Sequence, residues 1–308
     1  MRLVFAGTPV FAERALAALI ADGHEILSVL TQPDRKSGRG LKLLPSPVKA
    51  LATKHGIEVL QPARFNEGDT VGHLRALQPE MLVVAAYGLI LPQSGLDVAR
   101  RGAVNIHTSL LPRWRGAAPI HRAILAGDAE TGVTLMRMDA GLDTGAMLVR
   151  KSIGIAADET AGSLHDRLAA LGAQMIVDLV RTPDAAQAVA QPAKGVTYAR
   201  KIDKRESVLD WRKPARVLER EVRAFNPSPG ARAMIDATDL RIWRSHCIDH
   251  VGEPGRAQSA GDDGIVVACG EGGLVLTELQ RAGGKRLGAR DFLRGHAIAT
   301  GDRFALTA

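Results

Sequence analysis

The chain has 308 residues, 46% of them hydrophobic and 24% charged. Its mean hydropathy is near zero, which describes a globular protein and excludes a largely disordered one. The formal charge of +7 favours an anionic partner without naming it. Residues 1–199 hold 21 basic and 18 acidic side chains, and residues 200–308 hold 19 and 15, so the later part is the more basic per residue. The longest apolar run, residues 81–91, falls short of the roughly 20 residues of a membrane span. The opening residues lack a signal-peptide pattern, so the cytoplasm is the expected compartment. Cys247 and Cys269 are the only cysteines. They stand apart, without companions at metal-ligand spacing, so neither a disulfide framework nor a zinc site is indicated.

Length alone fits two domains. Leu3-Val4-Phe5-Ala6 reads as a buried strand, followed by Gly7-Thr8-Pro9, in which Thr8 is placed to cap a helix with Pro9 at its first position. That helix carries Phe11, Ala15, Leu16, Leu19 and Ile20 on one stripe, and residues 26–30 form the next strand. The alternation continues, which predicts a doubly wound, mostly parallel α/β sheet of Rossmann-like type. The Gly7 turn lacks the Gly-x-Gly-x-x-Gly pattern of dinucleotide binders.

Residues 32–47 break the rhythm. Gly38 and Gly40 flank Arg39, and Arg35, Lys36 and Lys42 stand nearby against the single Asp34. A long basic loop of this kind suits phosphate contact. Helices are expected at 47–55 and 71–77, and the apolar run beginning Met81-Leu82-Val83-Val84 reads as a strand buried on both faces. It leads into Leu89-Ile90-Leu91.

The stretch from Gly102 carries the chemistry. Val104 and Ile106 alternate with Asn105 and His107, so a strand turns one pair to the core and the amide and imidazole to the other face. A loop follows at Ser109 to Pro112. A helix at 118–126, a strand at 131–138, the loop Asp139-Ala140-Gly141-Leu142-Asp143-Thr144-Gly145, a strand at 146–155 and a long helix at 163–180 come next. Two acids with no third ligand argue weakly for a metal, and none is expected. Residues 182–195 are rich in Pro, Ala and Gln, without periodicity, and read as a linker. Beyond them, a helix at 215–225, the turn Asn226-Pro227-Ser228-Pro229-Gly230 and short strands at 231–235, 240–246, 264–267 and 274–279 suggest a small OB-like β-barrel. The basic turn Gly283-Gly284-Lys285-Arg286 is suited to RNA or to solvent.

Asn105-Ile106-His107, with Ser109-Leu110-Leu111-Pro112 and Gly116 close behind, resembles the signature of the folate-dependent formyltransferases. The continuation Arg113-Trp114-Arg115-Gly116-Ala117-Ala118-Pro119-Ile120, together with the basic 32–47 insertion, resembles the tRNA-directed branch of that family. The resemblance implies a catalytic domain at 1–189, a linker at 190–207 and a tRNA-binding OB-like domain at 208–308. It implies 10-formyltetrahydrofolate as formyl-donating co-substrate, initiator methionyl-tRNA as partner, no metal and a monomer. By the same resemblance Asn105, His107 and Asp143 are the catalytic set. Ser109, Leu110, Leu111, Pro112, Leu89, Ile90 and Leu91 would lie against the folate, and Arg35, Lys36, Arg39 and Lys42 would meet the tRNA. The family usually has Trp where this chain has Ser228, which puts an aromatic contact from that turn in doubt. The rival readings are a folate formyltransferase acting on an amino-sugar nucleotide and a catalytically silent RNA-binding relative.

Overall fold

The computed structural model describes residues 1–37, 42–65, 68–236 and 238–306. Its residues group into two units. The first comprises 1–119, 131–153 and 165–199, and the second comprises 120–130, 154–164 and 200–308.

In the first unit, β1 (Arg2–Gly7), β2 (Glu25–Leu30), β5 (Glu58–Leu60), β6 (Met81–Ala85) and β7 (Ala103–His107) run parallel, and β9 (Glu130–Arg137) joins β7 antiparallel. With β10 (Met147–Gly154) the order is β10-β9-β7-β6-β1-β2-β5. The continuous apolar runs explain the parallel centre: residues 3–7 of β1 and all of β6 are buried, as sheets covered on both faces require. Helices α1 (Val10–Ala21), α2 (Pro47–Lys54), α3 (Thr70–Ala76), the single turn α4 (Gln93–Leu96), α5 (Pro119–Ala126) and α6 (Ala161–Arg181) connect the strands. The order in which successive strands are added reverses between the parallel neighbours β1 and β6. There the Thr8 hydroxyl and the Gln32 amide both donate to the Tyr87 carbonyl, at 3.0 and 3.1 Å. Thr8 is therefore not a helix cap. Pro9 occupies the N-cap position, and the first helical residue is Val10. The pull of an unpaired carbonyl at the switch point outweighs the capping bond.

Within residues 32–47, the described residues on either side of 38–41 form strands. β3 (Arg35–Ser37) pairs antiparallel with β4 (Lys42–Leu44), Arg35 opposite Leu44 and Ser37 opposite Lys42. The segment read as a linker is also bound to the first unit. Val189 and Met147 exchange two backbone bonds of 2.8 Å, and β11 (Tyr198–Ala199) pairs parallel with β8 (Arg115–Gly116). These backbone bonds tie residues 189–199 to the first unit, whose last stretch runs to Ala199.

The second unit holds helix α7 (Ala215–Ala224) and an antiparallel sheet of β12 (Ala231–Ile235), β13 (Thr238–Ile248), β16 (Gly273–Arg281), β15 (Gly264–Ala268) and β14 (Ala257–Gly261), in that order, with β17 (Leu287–Gly288) on β16 and helix α8 (Ala289–Gly295) following. The chain's end closes the gap between the sheet's two edges. Phe304 N–H donates to Gly255 O and Ala305 N–H to Met234 O, both at 2.8 Å. Phe304 packs on Trp211, ring centroids 5.2 Å apart, in a core with Phe225 and Phe292. Trp211 is fully buried. Trp211→Ala should lower the stability of this unit by about 3–5 kcal/mol through the lost burial and the cavity left, read as an earlier urea midpoint for its unfolding transition.

Candidate active site

Ile106 and Asn105 divide the faces of β7. Ile106 lies against Gly172 of α6, where an added Cβ would sit 2.9 Å from the isoleucine methyl. The opposite face presents Asn105 and His107. Asp143 reaches that face from the β9–β10 loop. Its Oδ1 accepts from Asn105 Nδ2 at 3.5 Å, and its Oδ2 lies 3.7 Å from His107 Nδ1. The same Oδ2 accepts the Gly116 N–H at 2.8 Å. Amide, imidazole and carboxylate thus converge within one small volume, His107 only 5% exposed.

The other ring nitrogen is also occupied. His107 Nε2 lies 3.0 Å from the Trp114 carbonyl, which can only accept, so that nitrogen carries a proton. Trp114 and Asp143 have φ of 64° and 53°, left-handed values that residues with side chains rarely adopt and that surrounding bonds must hold. Thr197 Oγ1 accepts the Trp114 N–H at 2.8 Å. At Gly116, φ is 115°, and a Cβ would come within 2.8 Å of Ala199 O, so only glycine lets β8 pair so closely with β11 while offering its N–H to Asp143.

The loop carrying Asp143 is braced internally and from outside. Asp139 Oδ1 accepts from Gly141 N–H at 3.0 Å and Thr144 Oγ1 at 2.7 Å. The Gln191 amide donates to Asp143 O and Gly145 O, both at 2.8 Å. Gln191, the Trp114 carbonyl, the Gly116 N–H and Thr134 escape sequence reading. Three of these act through backbone geometry or neighbouring turns, and Gln191 lies in a stretch without periodicity.

The expected folate residues behave differently from one another. Ser109 and Leu111 are fully buried. The Ser109 hydroxyl donates to Arg113 O at 2.5 Å, while Thr134 Oγ1 donates to Ser109 O and accepts Leu111 N–H. Their side chains build the turn that aims Trp114; Leu110 is half-buried and Pro112 buried. After β6, Leu91 is buried and Leu89 half-buried, whereas Ile90 is 92% exposed. Val84 pairs with Asn105, so this segment leaves the sheet beside the exit of β7. The exposed Ile90 leaves apolar surface beside that exit. A groove of about 760 Å³ lined by Arg75, Arg100, Arg101 and Arg137 lies at the other end of these strands, where no such set converges.

Of the expected tRNA residues, Arg35 is exposed and its guanidinium bonds to Gln32 Oε1. Arg39 and the side chains of Lys36 and Lys42 lie outside the described residues. The base of the hairpin is clamped: Lys49 Nζ donates to Asp34 Oδ2 and Gln61 Oε1, both at 2.7 Å, and Gln61 Nε2 donates to Asp34 Oδ1 and Gln32 O. The Lys49 ammonium first, then the Gln61 amide, hold the Asp34 carboxyl below its usual 3.8. Elsewhere, the turn at 283–286 stacks the Arg286 guanidinium 3.6 Å above the buried Trp243 ring. Cys247 and Cys269 are both free thiols. Among the described residues no group of three or more His, Cys, Asp and Glu side chains is arranged to hold a metal, and no helix is long and apolar enough to cross a membrane.

Because the Asp34 pKa is lower folded than unfolded, its contribution is fully present above about pH 4 and disappears as pH falls through the folded value. Lys49→Met should raise the Asp34 carboxyl titration, followed by side-chain carbon NMR, and speed amide exchange in the β3–β4 hairpin.

Residues 1–180 match the family described as formyl transferase, and residues 201–297 match the formyl transferase C-terminal domain. Over 309 residues, 100% of both chains, the protein is 53% identical to methionyl-tRNA formyltransferase of Dechloromonas aromatica (strain RCB). Over 319 residues it is 54% identical to methionyl-tRNA formyltransferase of Burkholderia ambifaria (strain MC40-6), covering 99% of this chain and 98% of that one. Among solved structures, the N-formyltransferase of Helicobacter canadensis, in complex with folinic acid and dTDP-3-aminofucose, aligns with a TM-score of 0.66 at 18% identity, over 89% of this chain and 98% of that one. HypX from Aquifex aeolicus in complex with tetrahydrofolic acid aligns at 0.65 and 15% identity over 97% of this chain, which spans only 48% of HypX. Identities this low speak for the fold alone. With both domain families matched and more than half of all positions shared along the full length, the chain belongs to the methionyl-tRNA formyltransferases.

Proposed function

We propose that the protein transfers the formyl group of 10-formyltetrahydrofolate to the α-amine of methionine on initiator methionyl-tRNA, acting as a monomer in the cytoplasm. The observation that carries this reading is the convergence of Asn105, His107 and Asp143 on one face of β7 in a chain of that family. The two rivals fare worse. An amino-sugar acceptor rests on relatives of low identity, and a silent RNA-binding relative has no use for a buried imidazole between a carboxylate and an amide.

Attack of the amine on the formyl carbon places negative charge on the formyl oxygen. Asn105 Nδ2 makes only one long bond, at 3.5 Å, so it keeps a donor for that oxygen. The Nε2–H of His107 is engaged by Trp114 O, and its Nδ1 faces Asp143 Oδ2 at 3.7 Å, so the ring acts on the reaction through Asp143 and through its charge whenever it carries a second proton. The attacking amine loses a proton and the folate nitrogen gains one. Asp143, with its Oδ1 open toward Asn105, is placed to pass that proton through a water. The 10-formyltetrahydrofolate supplies an acyl carbon already activated by its nitrogen leaving group. Leu89, Ile90 and Leu91 would receive the pterin, and the turn from Ser109 to Pro112 shapes the wall beside it. Arg35, Lys36, Arg39 and Lys42 on the clamped hairpin would meet tRNA phosphates, and the basic second unit would add further contacts.

Formyl transfer to charged initiator tRNA, with glycinamide ribonucleotide as the control acceptor, tests this reading. Activity on the tRNA alone is expected, and Asn105→Ala, His107→Ala and Asp143→Asn should each lower kcat by about 100-fold or more with unfolding midpoints preserved. Near-normal turnover in all three variants, or no transfer by the parent protein, would rule it out.

A further inference from the structure

The Gln191 side chain joins two pieces of the site, the loop that carries Asp143 and the strand that carries Arg115. Its Nε2 donates to Asp143 O and Gly145 O, each at 2.8 Å. Its Oε1 accepts from Arg115 Nε at 3.0 Å and Nη2 at 2.8 Å. Both amide hydrogens and both oxygen lone pairs are therefore used. Arg115 is only 9% exposed, and Gly116, the next residue, gives its N–H to Asp143 Oδ2. The guanidinium, the amide and the Asp143 peptide thus form one connected network around a residue held at φ 53°. Gln191 lies between the two stretches matched to family models, 1–180 and 201–297.

We infer that Gln191 is a positioning residue for formyl transfer, fixing the Asp143 main chain so that its carboxylate stays against His107 and Asn105. The inference rests on the formyl-transfer reading for its kinetic consequence, but the geometry stands apart from it. A left-handed aspartate on a short loop persists only where its surroundings over-determine it. Asp139 braces the loop from within, and its surroundings hold Asp143 from outside: Gly116 and Asn105 hold the carboxylate, and Gln191 holds the carbonyl. Without Gln191, the loop relaxes and the carboxylate moves away from the imidazole. A displacement of about 1 Å in a catalytic group can cost about 100-fold in rate.

Gln191→Glu separates the two halves of the side chain. It keeps an acceptor for Arg115 but replaces the donor facing the two carbonyls with an oxygen. If Gln191 only satisfied the buried Arg115, Q191E would behave as the parent protein. If it positions Asp143, kcat for formyl transfer falls about 10–100-fold while KM for methionyl-tRNA and for the folate stays within about threefold. The Gly116 amide, bonded to Asp143, then exchanges with solvent about tenfold faster or more by NMR. Should Q191E give no folded protein, Gln191→Asn serves, since it keeps the amide chemistry but is one methylene too short to span Arg115 and both carbonyls; the same readouts apply. Q191E with parental kcat and parental Gly116 exchange overturns the inference, as does a loss of kcat with Gly116 exchange unchanged. If the parent protein itself formylates nothing, the functional reading fails, and Gly116 exchange alone still decides whether Gln191 holds Asp143.

Discussion

The site depends on the place of one carboxylate. Asp143 Oδ2 takes the Gly116 N–H at 2.8 Å while standing 3.7 Å from His107, and Oδ1 faces the Asn105 amide. A half-buried carboxylate in that position needs hydrogen-bond donors around it, and a mostly apolar sheet provides few. The chain meets the need with a glycine N–H from a two-residue strand and an amide from the neighbouring β-strand. Much of the surrounding architecture follows from this. Gly116 must lack a side chain to approach Ala199, and β11 must return to β8 to fix that glycine in place.

The histidine is held by the same logic from the other side. Its Nε2 meets a carbonyl made available by the left-handed Trp114, whose own N–H is fixed by Thr197. The turn that delivers Trp114 is built on Ser109, Leu111 and Thr134, all buried. Residues that resemble ligand contacts in a motif also form the internal frame of that motif, through the bonds of Ser109, Leu111 and Thr134.

The hairpin at the far side of the sheet shows a related division of labour. Lys49 and Gln61, on α2 and just after β5, lock Asp34 and the Gln32 carbonyl at the hairpin's base. Arg35 stands at that base, bonded to Gln32, whose own amide reaches the Tyr87 carbonyl of the sheet's switch point.

The linear pattern of residues determined a good deal. Continuous apolar runs at 3–6 and 81–85 announced buried strands, and the long helix expected at 163–180 spans Ala161–Arg181 with Leu164, Leu168, Met175 and Ile176 buried. Alternation at 104–107 put Asn105 and His107 on one face, because a strand's period of two is a local property of the backbone. What only the tertiary structure decided were the partners brought in from far along the chain: the Thr8 hydroxyl on Tyr87 O, the pairing of β3 with β4, and above all residues 182–199, of which 182–195 read as a linker from composition. That stretch carries Val189, Gln191 and Thr197 into bonds with the first sheet and its loops. Such bonds leave no periodicity behind, since a single side-chain amide or carbonyl is satisfied by whatever lies opposite it in space. Neighbours in sequence fix which face a residue shows; only the folded chain fixes what that face meets.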